Sequence, residues 1–148
     1  MYPDFSDLLS AFNARRVEYL VVGAYALAAH GLIRATKDLY VWVRPDAENA
    51  QRLMAALRDY GAPLQDVTAE DFALPGLILQ IGIDPVRIDI LTDLAGLDFE
   101  AAWQNRIDSR YGDQPAGVLS REHLIRNKTA AGRPQDLLDV KWLEANKP

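Results

Sequence analysis

Apolar positions recur at helical spacing near the start of the chain. Phe5, Leu8, Leu9 and Phe12 share one face of a helix expected over Pro3 to Arg16, and Pro3 suits a first-turn position. The period then changes. Glu18 to Val22 is short, apolar and β-branched, which predicts a strand. Gly23 ends it, a helix of small residues follows, and Gly31 is placed to stop that helix. A second strand runs from Asp38 to Val43. Its side chains alternate, so Asp38, Tyr40 and Trp42 fall on one face and Leu39, Val41 and Val43 on the other, which reads as core.

Asp46 to Tyr60 predicts a long helix with Asp46 as its cap, and Ala50, Leu53, Met54, Leu57 and Tyr60 on one apolar face. Gly61 and Pro63 end it, and Thr68 with Asp71 is spaced like a capping box for one short turn. Gly76 to Ile83 holds almost no polar residue, which predicts a strand buried on both faces. Asp84-Pro85 turns the chain into a partner strand, Val86 to Thr92, so the two runs read as a hairpin. Asp98 caps a helix containing Phe99, Ala102 and Trp103. Ser109 to Leu119, with Gly112, Pro115 and Gly117, reads as a loop with one short strand near Val118. Ser120 caps a helix through Ala131. Pro134 opens a last one, with Leu137, Leu138, Val140, Trp142 and Leu143 expected mostly inward. This order of elements predicts an α/β (α+β) domain with a mixed central sheet.

Composition narrows the classes. The chain has 148 residues, the size of one ordinary domain, so a single domain over 1–148 is expected. An apolar fraction of 49% is enough for a globular core and excludes a disordered chain. The absence of cysteine excludes a disulfide framework, thiolate zinc and a cysteine nucleophile. No signal-peptide pattern opens the chain and no apolar run reaches the ~18 residues of a membrane span, so a cytoplasmic protein is expected. A net charge of −5 argues against general nucleic-acid binding. The segment Leu119–Pro134 is a local exception, with Arg121, Arg126, Lys128 and Arg133 against Glu122. It leaves a nucleic-acid-binding module as a third reading of function, behind the two given below.

The candidate chemistry lies around the first two strands. A turn at Gly23-Ala24 offers backbone N–H groups and the positive end of a helix to phosphate, and Asp38 on the next strand offers a hard oxygen to a divalent cation. Gly23, Ala24, His30, Gly31, Arg34, Thr36 and Asp38 together resemble the core motif of the nucleotidyltransferase fold. More closely, they resemble small bacterial nucleotidyltransferase-like proteins related to abortive-infection toxins. The resemblance extends to Arg87-Ile88-Asp89-Ile90-Leu91-Thr92 and Leu124-Ile125-Arg126-Asn127-Lys128.

That resemblance implies a mixed sheet flanked by helices, with a helical C-terminus. It implies binding of a nucleoside triphosphate and Mg2+, and transfer of NMP to a hydroxyl on RNA, protein or a small molecule. Asp38 and Asp89 would be metal ligands and catalytic groups. Lys128 would serve the triphosphate, while Gly23, Ala24, Arg34, Lys37 and Asp136 would hold or position the nucleotide. A partner protein, as in a toxin–antitoxin pair, is also implied. Two departures stand out. Ala24 replaces the second residue of a glycine pair, and Tyr40 replaces the second Asp of an Asp-x-Asp. Three carboxylates hold two Mg2+ ions about 3.5–4 Å apart. A neutral phenol is a poor third ligand. The resemblance therefore implies weak Mg2+ binding and leaves two functions open: a weakened nucleotidyltransferase, or a non-catalytic relative that binds a nucleotide or a partner. His30, beside the helix-stopping Gly31, reads as a charge favourable to the helix dipole rather than as a ligand.

Overall fold

The computed structural model describes residues 3–82 and 86–148. The turn read at Asp84-Pro85 and the end of the strand read to Ile83 lie outside the described residues. Seven helices and six strands occur within the described residues. They are α1 (Pro3–Ala14), β1 (Tyr19–Val22), α2 (Ala24–Ala29), β2 (Asp38–Val43), α3 (Ala47–Tyr60), α4 (Ala69–Phe72), β3 (Ile78–Ile81), β4 (Arg87–Leu91), α5 (Phe99–Gln104), β5 (Ile107–Tyr111), β6 (Gln114–Val118), α6 (Arg121–Ala131) and α7 (Pro134–Ala145).

The strands form one sheet in the order β3-β4-β2-β1-β6-β5. It is mixed: β2 with β4 and β1 with β6 are parallel, and the other neighbours are antiparallel. The local signals explain most boundaries. Asp46 accepts a hydrogen bond from the Asn49 N–H at the start of α3, and Gly61 closes that helix at φ 91°. Asp98 and Ser120 cap α5 and α6 in the same way. The apolar faces of α1 and α3 pack with Leu39, Val41 and Val43 of β2 into one core, in which Phe5, Phe12, Leu53 and Leu57 are fully buried. Burying a side chain of that size contributes about 1.5–3 kcal/mol.

Three expectations are corrected. The apolar run that forms β3 is an edge strand, and Ile78 is 60% exposed. Ile78 borders a cleft, while Ile81 alone of the strand is buried in the core. The segment read as a loop around Gly112 is a hairpin, β5–β6, turning at Gly112 with φ 62°. Gly and Pro are poor strand residues, which hid it. Here the Pro115 carbonyl accepts from Asn13 and Tyr19, and a Cβ on Gly117 would lie 3.2 Å from the Arg106 Cδ. In α7 the buried positions are Asp136, Asp139 and Leu143, while Leu137 and Leu138 face outward. Charge partners on other elements override the apolar periodicity. No helix among the described residues is long and apolar enough to cross a membrane.

Candidate nucleotide site

Register places the candidate residues. Asp38 pairs with Arg87, and Tyr40 with Asp89, across the parallel strands β2 and β4. Val22 lies opposite Tyr40 on β1, and Gln80 opposite Asp89 on β3. Paired residues share a face, so Gln80, Asp89, Tyr40 and Val22 form a row across four strands, with Arg87 and Asp38 in the next row. This row is the floor of a cleft of about 440 Å³. Gly23 and Ala24 form one wall. A Cβ on Gly23 would stand 3.0 Å from the Tyr40 ring, and its φ of 72° is left-handed, so glycine is needed there twice over. Helices α6 and α7 close the cleft with Asn127, Lys128, Arg133 and Asp136.

At the floor, Asp89 is only 4% exposed. Its Oδ1 has no hydrogen bond, and the nearest cation is the Arg87 Nε at 3.5 Å, itself without a hydrogen-bond partner. Burial raises the Asp89 carboxyl above the ordinary range. Arg87 opposes that shift, and the Asp38 charge reinforces it. Arg87 also lies 3.7 Å from the Asp38 carboxylate. The Tyr40 hydroxyl, then Asp89 and Asp38, strengthen the guanidinium's hold on its proton.

A second set of charges joins the roof to the rest of the molecule. Arg34 pairs with Asp139 at 2.5 Å, Lys128 reaches Asp139 at 3.0 Å and Asp136 at 3.3 Å, and Arg133 reaches Asp136 at 2.8 Å. Asp136 also accepts from the Arg133 backbone N–H at the start of α7. Burial alone would raise both carboxyls. The hydrogen bonds from Arg133 to Asp136 and from Arg34 to Asp139, with the Lys128 charge, outweigh it and hold both below the usual range.

The structure therefore brings Gly23, Ala24, Asp89, Lys128 and Asp136 to one cleft. Asp38 shares the sheet face and the Arg87 guanidinium with Asp89. Arg34 engages Asp139 rather than lining the cleft, and Lys37 is exposed, with its carbonyl accepting from the Arg87 N–H. His30 is bonded through Nε2 to the Leu119 carbonyl at 2.8 Å, which ties the end of α2 to the segment after β6. Arg87, Arg133 and Asp139 enter the sequence reading only as members of the resembling motifs and, for Arg133, of the basic segment, with no site role of their own. Arg87 had a legible signal, since it lies two residues before Asp89 on the same strand face. The pairing of Asp139 with Lys128 and Arg34 becomes visible only when α6, α7 and the loop after α2 are brought together.

The residues do not fit a pair of Mg2+ ions. Such a pair needs three converging carboxylates, and no group of three or more metal-binding side chains occurs among the described residues. The register partner of Asp89 is a phenol, Tyr40, and a guanidinium already faces both carboxylates.

The solved structures similar to this chain give the fold its name. A lincosamide antibiotic adenylyltransferase, LnuA, bound to lincomycin, is 14% identical with a TM-score of 0.58, covering 99% of this chain and 98% of its own. A Thermotoga maritima protein described as a nucleotidyltransferase is 15% identical with a TM-score of 0.63, over 95% of this chain and 91% of its own. The antibiotic-resistance factor ANT(2'')-Ia is 15% identical with a TM-score of 0.59, over 96% and 81%. The chain has the nucleotidyltransferase fold. No family model matches it, and no curated protein matches it.

Proposed function

We propose that the chain is a nucleotidyltransferase-type protein that binds a nucleoside triphosphate in this cleft and transfers NMP to a hydroxyl slowly, if at all, as the sequence stands. The observation that carries the reading is the meeting of the Gly23-Ala24 turn, Asp89, Lys128 and Arg133 around one cleft. Backbone N–H groups at the turn and the exposed Arg133 guanidinium suit phosphate oxygens. Lys128 suits them too, though it must share its charge with Asp136 and Asp139. The oxygen of an acceptor hydroxyl would attack the α-phosphorus, the bond to the β-phosphate would break, and pyrophosphate would leave. Asp89, buried and with one unbonded oxygen, suits the role of base for the hydroxyl proton.

Apolar residues in the cleft lining, Ile78, Leu91 and Leu94 at one end and Val22 at the other, favour a small hydroxylated molecule as acceptor over RNA or protein. The adenylyltransferase LnuA and the antibiotic-resistance factor ANT(2'')-Ia, whose structures hold lincomycin and adenylyl-2''-tobramycin, support the same choice. A cytoplasmic setting, where nucleoside triphosphates are made, accords with this reading. The test is calorimetric titration of ATP, GTP, CTP and UTP into the chain, with Lys128→Ala beside it. Saturable binding by one or more of them, weakened in the variant, supports the proposal. Absence of binding by all four, in a folded sample, rejects it.

A further inference from the structure

We propose that Arg87 is the resident cation of this site, and that the Asp38–Asp89 pair is closed to divalent ions while Arg87 is in place. The inference rests on the cleft as read above, though its test needs no nucleotide. The guanidinium approaches Asp38 through Nη2 at 3.7 Å and Asp89 through Nε at 3.5 Å. The backbone fixes this arrangement. Arg87 is the register partner of Asp38 and stands two residues from Asp89 on the same strand face. Its own N–H is held by the Lys37 carbonyl at 3.0 Å, so the base of the side chain is pinned to the loop that leads into β2.

Both contacts are long for hydrogen bonds, and the Arg87 Nε and Asp89 Oδ1 each lack a hydrogen-bond partner. The hold is therefore charge on charge. A magnesium ion bound to both carboxylates would sit about 2.0–2.1 Å from their oxygens and keep several of its waters. That position lies against the guanidinium, and like charges brought together repel. Tyr40 belongs to the same device. It stands beside Asp89, supplies no charge to a metal, and its hydroxyl oxygen suits a guanidinium donor. With Tyr40 and Arg87 present, the two carboxylates are matched by one fixed cation instead of by a mobile one.

The experiment is a titration of Mn2+ alone, without nucleotide, followed by the loss of the free-ion signal in electron paramagnetic resonance. It compares the parent chain, Arg87→Met and Arg87→Gln, each checked for folding by circular dichroism. The parent should bind no more Mn2+ than Asp89→Asn does. Either Arg87 variant should bind at least about tenfold more tightly. The gain should vanish when Asp89→Asn is added to it, which places the ion at this pair.

A second measurement needs no Arg87 variant. Mn2+ added to the isotope-labelled parent should leave the Arg87 Nε–H resonance unbroadened. Parent binding as tight as that of the Arg87 variants overturns the inference. So does a gain that survives Asp89→Asn, or broadening of Arg87 in the parent. These results leave the nucleotide reading standing, and a chain that ignores both Mn2+ and NTP fails on the nucleotide reading alone.

Discussion

Tyr40 and Asp89 are register partners on parallel strands, so a phenol and a buried carboxylate stand side by side on the cleft floor. Tyr40→Asp would add a third carboxylate to the two of Asp38 and Asp89, directly beside Asp89. Without ligand this variant should lose about 0.5–1 kcal/mol in urea unfolding, because like charges on paired positions repel. It should tighten Mg2+-dependent NTP binding only modestly while Arg87 remains. Combined with Arg87→Met, the gain should exceed the sum of the single changes, since all these groups meet one ion. Calorimetry on the four chains of this cycle measures the coupling, and simple additivity would count against the shared site.

Gly23 sits at the mouth of the cleft in a left-handed conformation, with the Tyr40 ring 3.0 Å from where a Cβ would be. Gly23→Ala should cost at least about 1–2 kcal/mol from the backbone alone. It should also push the ring aside and weaken NTP binding. Unchanged stability in chemical denaturation would show that the turn relaxes at no cost.

Asp139 receives both Arg34 and Lys128 while only 2% exposed. Asp139→Asn leaves Lys128 with Asp136 alone and frees Arg34 from its partner. A loss of about 3 kcal/mol is expected, within the range for breaking a buried pair. Equilibrium unfolding of the two chains at neutral pH and matched salt checks it.

The same carboxylates set an acid limit. Asp136 and Asp139 are held below their ordinary value of 3.8 in the folded chain. As pH falls, the unfolded chain takes up these protons first. Their contribution is therefore complete above 3.8 and is lost as pH falls through the lower folded values. Asp136→Asn and Asp139→Asn should be less stable than the parent at neutral pH. They should also lose stability less steeply on the acid side. Unfolding midpoints collected between about pH 2 and 7 give the slopes, and parallel curves would exclude the two groups as the cause.

Much of the floor was legible in the sequence. Period-two alternation put Asp38 and Tyr40 on one face of β2, and Arg87 and Asp89 on one face of β4. The caps at Asp46, Asp98 and Ser120 are local hydrogen bonds, readable from neighbouring residues. The β5–β6 hairpin was hidden because Pro115 and Gly117 are poor strand residues, and the groups that bond the Pro115 carbonyl, Asn13 and Tyr19, lie far off in the chain. The facing of α7 was hidden for a related reason. Its inward carboxylates answer to Arg34 and Lys128, and no window along α7 contains Arg34.

That line of charges, Arg34–Asp139–Lys128–Asp136–Arg133, joins positions 105 residues apart at its first link. Each inner member is flanked by two opposite charges, so loss of any inner charge takes a partner from both of its neighbours. The loop after α2 and the last helix are therefore electrically one unit. A replacement for α7 without carboxylates at the positions of Asp136 and Asp139 would leave Arg34 and Lys128 unmatched, however well its apolar residues packed.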